Sequence, residues 1–295
     1  MRKVQLISGL ALAALLVAGA AIAQPPAGRG GAAPGAAPGG GRGPAGPPPA
    51  CAAVPSAAKA STTAAVPKGT AKNIADAITA STRPAADICQ DEFRKPAEML
   101  KFAGVGPDTV ITEYLPGAGY FTRIFGKAVS GKGHVYAIGN TPQSANAANA
   151  IAADAGYGGK VSVITNTNLP AAKPPVPVDL VWTSRNYHDI PTANRPALNK
   201  AIFDMLKPGG TYIVLDHSAV PGTGDYAMNQ TGGASAALHR IDEMLVRLEV
   251  LKAGFKLVGE SNVLRNPADT KTSRVFEGSV RGETDQFILK FQKPR

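Results

Sequence analysis

Residues 1–70 contain no aspartate or glutamate. They carry Arg2, Lys3, Arg29, Arg42, Lys59 and Lys68, so +6 of the chain's formal +10 lies there and the rest carries only +4. Past residue 70 no Lys/Arg cluster gathers on one element, which excludes the footprint of a nucleic-acid partner. Residues 24–70 also lack any aromatic, Leu or Ile. A segment so poor in large apolar side chains cannot offset its ordering entropy by burial, so it reads as a disordered Ala/Pro/Gly-rich linker. Cysteine is scarce as well. Cys51 and Cys89 lack CxxC spacing, which excludes a zinc or redox motif of that type, and whether they pair is left open.

One long apolar run is present, at the very start. Arg2 and Lys3 precede an apolar stretch from Leu6 to about Ala20, and Ala21-Ile22-Ala23 puts small residues at the −3 and −1 positions before Gln24. This is the layout of a cleaved secretory signal, and no cysteine stands at the cleavage point to make a lipoprotein. The reading is a signal peptide over 1–23, a linker over 24–70 and one domain over 71–295, in a periplasmic or secreted protein with no stable membrane insertion after cleavage. A domain of that length can bury a proper interior.

From residue 71 helical and β-branched segments alternate, which predicts an α/β fold with a mostly parallel, doubly wound sheet. The expected strands are 109–113, 133–138, 160–165, 179–183, 211–216, 255–260 and 285–291. The expected helices are 96–103, 120–129, 144–155, 193–206 and a long one over 236–253.

The strongest motif is a strand ending in Glu113, then Gly117-x-Gly119, then a helix. Ligands of open α/β sheets bind at the carboxyl ends of strands where strand order reverses, and glycines there allow close approach to free N–H groups at the helix start. A dinucleotide fingerprint would want a third glycine where Thr122 stands, which disfavours a nicotinamide-dependent oxidoreductase. The second motif, Leu206-Lys-Pro-Gly-Gly210, reads as a helix stop before a buried strand.

Together these turns resemble the class I S-adenosylmethionine (SAM) methyltransferases. The chain is similar, more narrowly, to an exported bacterial family of methyltransferases. The residues that carry the resemblance are Arg94-x-Pro96-x-Glu98, Pro116-Gly-x-Gly-Tyr-Phe-Thr122, Asn186-Tyr-His-Asp189, Leu206-Lys-Pro-Gly-Gly210, Asp216-His-Ser-Ala219, Leu238-His-Arg-Ile-Asp242 and Arg281-Gly-x-Thr-Asp-x-Phe-x-Leu-x-Phe291. The resemblance implies a seven-stranded Rossmann-like sheet, SAM as cofactor, and methyl transfer to a small or envelope-associated acceptor. Glu113, Gly117 and Gly119 would hold the methionine part and Asn140 would face the ribose. The general pattern has an acid at that last place, and a glycine where Leu115 stands.

Methyl transfer is an in-line displacement on a sulfonium, so orientation and charge complementarity dominate, and aromatic faces such as Tyr114, Tyr120 or Tyr187 could hold the cation. His188, Asp189 and Asp216 are the catalytic candidates, with His188 a general base. Tyr187, His217, His239 and Arg240 are expected to face the acceptor. Three histidines and several aspartates could ligate a metal, but with no HxxxH or HxH pair no metal site is predicted. The other reading is an exported, non-catalytic methyltransferase-like scaffold that binds a small ligand or a protein.

Overall fold

The computed structural model describes Cys51, residues 66–224 and residues 238–295. The expected signal peptide and nearly all of the expected linker lie outside the described residues. Among the described residues no helix is long and apolar enough to cross a membrane.

Seven strands form one sheet: β1 (Val110–Tyr114), β2 (His134–Gly139), β3 (Val161–Thr165), β4 (Val178–Ser184), β5 (Leu206–His217), β6 (Lys256–Ser261) and β7 (Gln286–Gln292). Their order across the sheet is β3-β2-β1-β4-β5-β7-β6. β1 is parallel to both β2 and β4, and β5 continues the parallel run. Only β7 runs antiparallel, against both β5 and β6. The order reverses between β1 and β4, so the carboxyl ends of these two strands open the crevice where this architecture places ligands.

The inner strands are buried on both faces, as consecutive buried residues in β1 and β7 show, and most of their side chains are apolar. On one face α1 (Lys72–Ile78), α4 (Pro96–Ala103) and α5 (Tyr120–Ala128) cover Ile111, Trp182 and Ile213. Trp182 packs 4.8 Å from Phe121 and 5.4 Å from Phe125, centroid to centroid. On the other face α7 (Arg195–Met205) and α8 (Glu243–Lys252) cover Val181, Val214 and Phe287. α6 (Pro142–Ala153) flanks β2 and β3 and starts on a capping box between Thr141 and Ser144.

Ahead of the sheet, α2 (Ala85–Cys89) and α3 (Asp91–Arg94) form a small layer that docks on the glycine turn. The Tyr120 hydroxyl donates to Asp91 Oδ1 at 2.6 Å, and buried Arg83 grips both oxygens of the same carboxylate. A disulfide joins Cys51 to Cys89, with Cα atoms 5.8 Å apart, and ties the chain ahead of the domain to this layer.

Two expectations are corrected. Leu206-Lys-Pro-Gly-Gly210 is not a turn ahead of the strand: β5 begins at Leu206, pairs with Val178, and absorbs the extra residues in a register shift between Val178 and Leu180. The long helix expected over 236–253 is only α8, because Asp242 caps it by accepting from Met244 N. Ile241 instead bridges to Ser218, its N–H donating to His217 O and its carbonyl accepting from Ala219 N. His239 and Arg240 therefore lie beside the end of β5, not on a helix.

Candidate active site at the carboxyl ends of the central strands

The site has two neighbouring parts. The first is a small cavity at the glycine turn, lined among others by Arg94, Glu113, Leu115, Tyr120, Ser184 and Asn186. Leu115 adopts φ +56°, the left-handed conformation that favours glycine. A glycine in the general pattern thus reports a backbone requirement that persists here under a leucine. Gly117 is exposed, and a Cβ added to it would meet nothing within 4 Å, so its backbone is open to a ligand. Gly119, at φ +80°, is closed: a Cβ would stand 2.6 Å from Ile151 Cδ1. It is needed for packing at the start of α5.

Glu113 is buried and accepts one hydrogen bond, from Thr122 Oγ1 at 2.6 Å. Thr122, which occupies the third-glycine position, thus has a function of its own. Burial pushes the Glu113 carboxyl up to about 8, against the opposing pull of Thr122, Arg94 and Arg123. Arg94 lies over the Tyr120 ring at 4.5 Å. Its Nε is buried without a hydrogen-bond partner, and no carboxylate pairs with it among the described residues. Ser184 Oγ is likewise buried and unpartnered. Asn186 donates to Ser184 O at 2.8 Å and Leu115 O at 3.0 Å, which laces the end of β4 to the glycine turn. Asn140 follows β2, partly exposed, at the turn into α6.

The second part gathers three of the chain's four histidines. Asp216, fully buried near the end of β5, accepts from His188 N at 2.9 Å, His188 Nδ1 at 2.7 Å and His217 N at 2.7 Å. Since Asp216 takes the Nδ1 proton, neutral His188 presents a lone pair on Nε2. Burial opposes a charge on His188, but the Asp216 charge and hydrogen bond, with Asp189, outweigh it and raise its pKa. Asp189 Oδ1 lies 3.4 Å from His188 Nε2 and 3.3 Å from His239 Nδ1. His217 Nδ1 meets Thr284 Oγ1 at 2.7 Å. Burial, then the positive charges of Arg185, His188, Arg240 and Arg94, holds the His217 pKa well below the usual value.

Arg185 stands between the two parts. Its Nε donates to Gln286 Oε1 at 2.9 Å while its Nη2 is buried and unpartnered. Burial, then the charge of Arg94, lowers its pKa to about 9. Among the described residues, the non-glycine residues with positive φ are Lys95, Leu115, Arg185, His239 and Lys271. Three of these five are site residues and Lys95 directly follows Arg94. Backbone strain of this kind concentrates where surrounding structure holds a functional arrangement in place.

Two expected acceptor-facing residues point elsewhere. Tyr187 is fully buried: its hydroxyl donates to Glu249 Oε2 and accepts from Asn199 Nδ2, both at 2.7 Å, within the α7–α8 layer. Arg240 is fully buried in a pair with Asp269, and its remaining donors go to Ser218 O and Ser273 O. Both are structural because an inward-facing polar group must find internal partners. The Tyr120 ring is also taken up, with Arg94 and Arg83 over it. Arg94 and Arg185, conversely, were not expected as site residues. No local pattern shows that α3 and the turn after β4 aim them at one region.

No protein-family model matches the chain. Over 125 residues, 40% of this chain, it is 28% identical to the protein-L-isoaspartate O-methyltransferase of Hyperthermus butylicus, and it spans about half that protein's length (48%). Among solved structures, a SAM-dependent methyltransferase from Aquifex aeolicus superposes with a TM-score of 0.50 at 17% identity, over 69% of this chain and 92% of that one. A protein from Galdieria sulphuraria, proposed as a sarcosine dimethylglycine methyltransferase, gives a TM-score of 0.52 at 13% identity, over 70% and 87%. The fold is that of the class I SAM methyltransferases, a Rossmann-like, mostly parallel seven-stranded sheet with its last strand antiparallel.

Proposed function

We propose that the chain is a SAM-dependent methyltransferase, akin to the exported bacterial family its motifs resemble, acting on a small or envelope-associated acceptor. The observation that carries this reading is the charge pattern of the glycine-turn cavity. An unpaired arginine, Arg94, and a buried acid, Glu113, line one small space at the strand-order reversal. An amino-acid zwitterion is complementary to that pair: Arg94 would meet a carboxylate, and Glu113 would accept from an ammonium. A cation beside Glu113 offsets the burial that holds its proton, so the carboxyl ionises as the site fills. The buried, unpartnered Arg94 Nε and Ser184 Oγ are the orphan groups such a ligand would satisfy.

SAM, when bound, supplies a methyl group made electrophilic by a sulfonium. The chain's own residues hold and orient. Gly117 leaves its backbone open, and Asn140 would face the ribose with one acceptor and two donors where an acid would offer acceptors only. That exchange weakens the site by roughly 1.5–3 kcal/mol, about one to two decades in affinity. On the acceptor side Asp216 orients His188, whose Nε2 faces the Asp189 carboxylate. Export rests on residues 1–23, and the Cys51–Cys89 disulfide supports an oxidising compartment.

A non-catalytic scaffold is the second reading, favoured by Asn140 and by the strained Leu115. Calorimetric titration of SAM, and separately of its demethylated product, into the purified chain separates the two. The enzyme reading expects saturable micromolar binding. Absence of binding by either compound at millimolar concentration would retire SAM and leave the scaffold.

A further inference from the structure

We infer that His188, Asp189 and His239 form a binding site for one divalent transition-metal ion of the zinc class. The donor atoms, two imidazole nitrogens and a carboxylate oxygen, all lie within 4.8 Å of one another. Asp189 Oδ1 is 3.4 Å from His188 Nε2 and 3.3 Å from His239 Nδ1. Those separations exceed a good hydrogen bond to nitrogen, about 2.7–3.2 Å. They match the edge of a tetrahedron whose corners lie about 2.0–2.1 Å from a central zinc, which is about 3.3 Å. His239 Nδ1 is buried, makes no good hydrogen bond, and faces Asp189 Oδ1 at 3.3 Å.

The surroundings are those of a ligand set. Asp216 holds His188 through Nδ1 at 2.7 Å, fixing the ring and aiming Nε2 at the other two donors. This carboxylate–histidine arrangement is the usual support of a metal-bound imidazole. His239 sits at φ +56°, a strained backbone, with its ring 4.7 Å from Phe276 and edge-on to His188 at 5.5 Å. Asp189 is 49% exposed, so the fourth position faces solvent and an acceptor oxygen could enter it. Two imidazoles and one carboxylate suit zinc and its neighbours better than magnesium or calcium, which favour oxygen ligands. The spacing is invisible to sequence motifs because the ligands come from the turn after β4 and from the segment before α8, about fifty residues apart in the chain. The site is independent of SAM binding.

The test uses an untagged, chelator-treated full chain titrated with Co2+ and read by its visible d–d bands, then with Zn2+ in competition. One equivalent of Co2+ with tetrahedral-type absorption, displaced by Zn2+, is expected. His239→Ala should abolish the spectrum, and Asp216→Asn should weaken affinity by about 10–100-fold without removing a ligand. His217→Ala, which removes a neighbouring imidazole outside the set, should leave it intact. Circular dichroism of each variant separates loss of ligand from loss of fold, and His239→Gln serves if the alanine variant unfolds. Absent Co2+ bands in the folded parent chain, or bands unchanged in folded His239→Ala or His239→Gln, would overturn the site.

Discussion

Glu113 and Asp216 lie at the carboxyl ends of two inner parallel strands, and both are buried. Their surroundings differ. Asp216 accepts three hydrogen bonds, two from backbone N–H groups, so its charge is fully met by the fold. Glu113 accepts one and is held protonated up to about 8 by burial. A buried carboxylate met by the protein orients a neighbour. One left short of donors, beside an arginine equally short of acceptors, is set to meet something from outside.

Breaking the first half of this contrast should have the largest effect. Asp216→Ala strands three buried donors and should cost about 3–5 kcal/mol in denaturant unfolding. Glu113 behaves oppositely. Its folded pKa lies above its unfolded value of 4.5, so the native state binds the proton more tightly. Stability is therefore highest below about 4.5 and falls as pH rises to about 8, by up to about 1.4 kcal/mol per pH unit from this group. Urea unfolding from pH 5 to pH 8 should show that slope, and Glu113→Gln should flatten it. A smaller change is expected from Leu115→Gly, which relieves the left-handed strain at the cost of chain entropy. The net should be a gain of less than about 1 kcal/mol in thermal unfolding, which Leu115→Ala should not reproduce.

The same contrast shows which features were legible in the sequence. The doubly wound sheet, β1, β2 and β4 to within a residue, and the glycine turn all follow from local apolar pattern and turn chemistry, whereas β5 starts five residues earlier than that pattern shows. Leu115 was legible as an exception, and its φ supplies the reason. The path from Leu238 to Asp242 was not legible, because a β-bridge to the end of β5 overrides the helical spacing there. That override moves His239 against Asp189 and sends Arg240 into the core. Tyr187 was misplaced for a similar reason: strand-end position does not reveal which way a 3-10 turn faces. Arg94 and Arg185 become meaningful only once the structure shows that neither forms an ion pair among the described residues.

The central claim is that the glycine-turn cavity holds the methionine end of SAM between Arg94 and Glu113. It is tested most directly by calorimetric SAM titration of the parent chain beside Arg94→Ala and Asn140→Asp. The account predicts saturable binding by the parent, about ten- to hundredfold weaker in Arg94→Ala and about tenfold or more tighter in Asn140→Asp. Binding indifferent to Arg94, or none in all three, would contradict it.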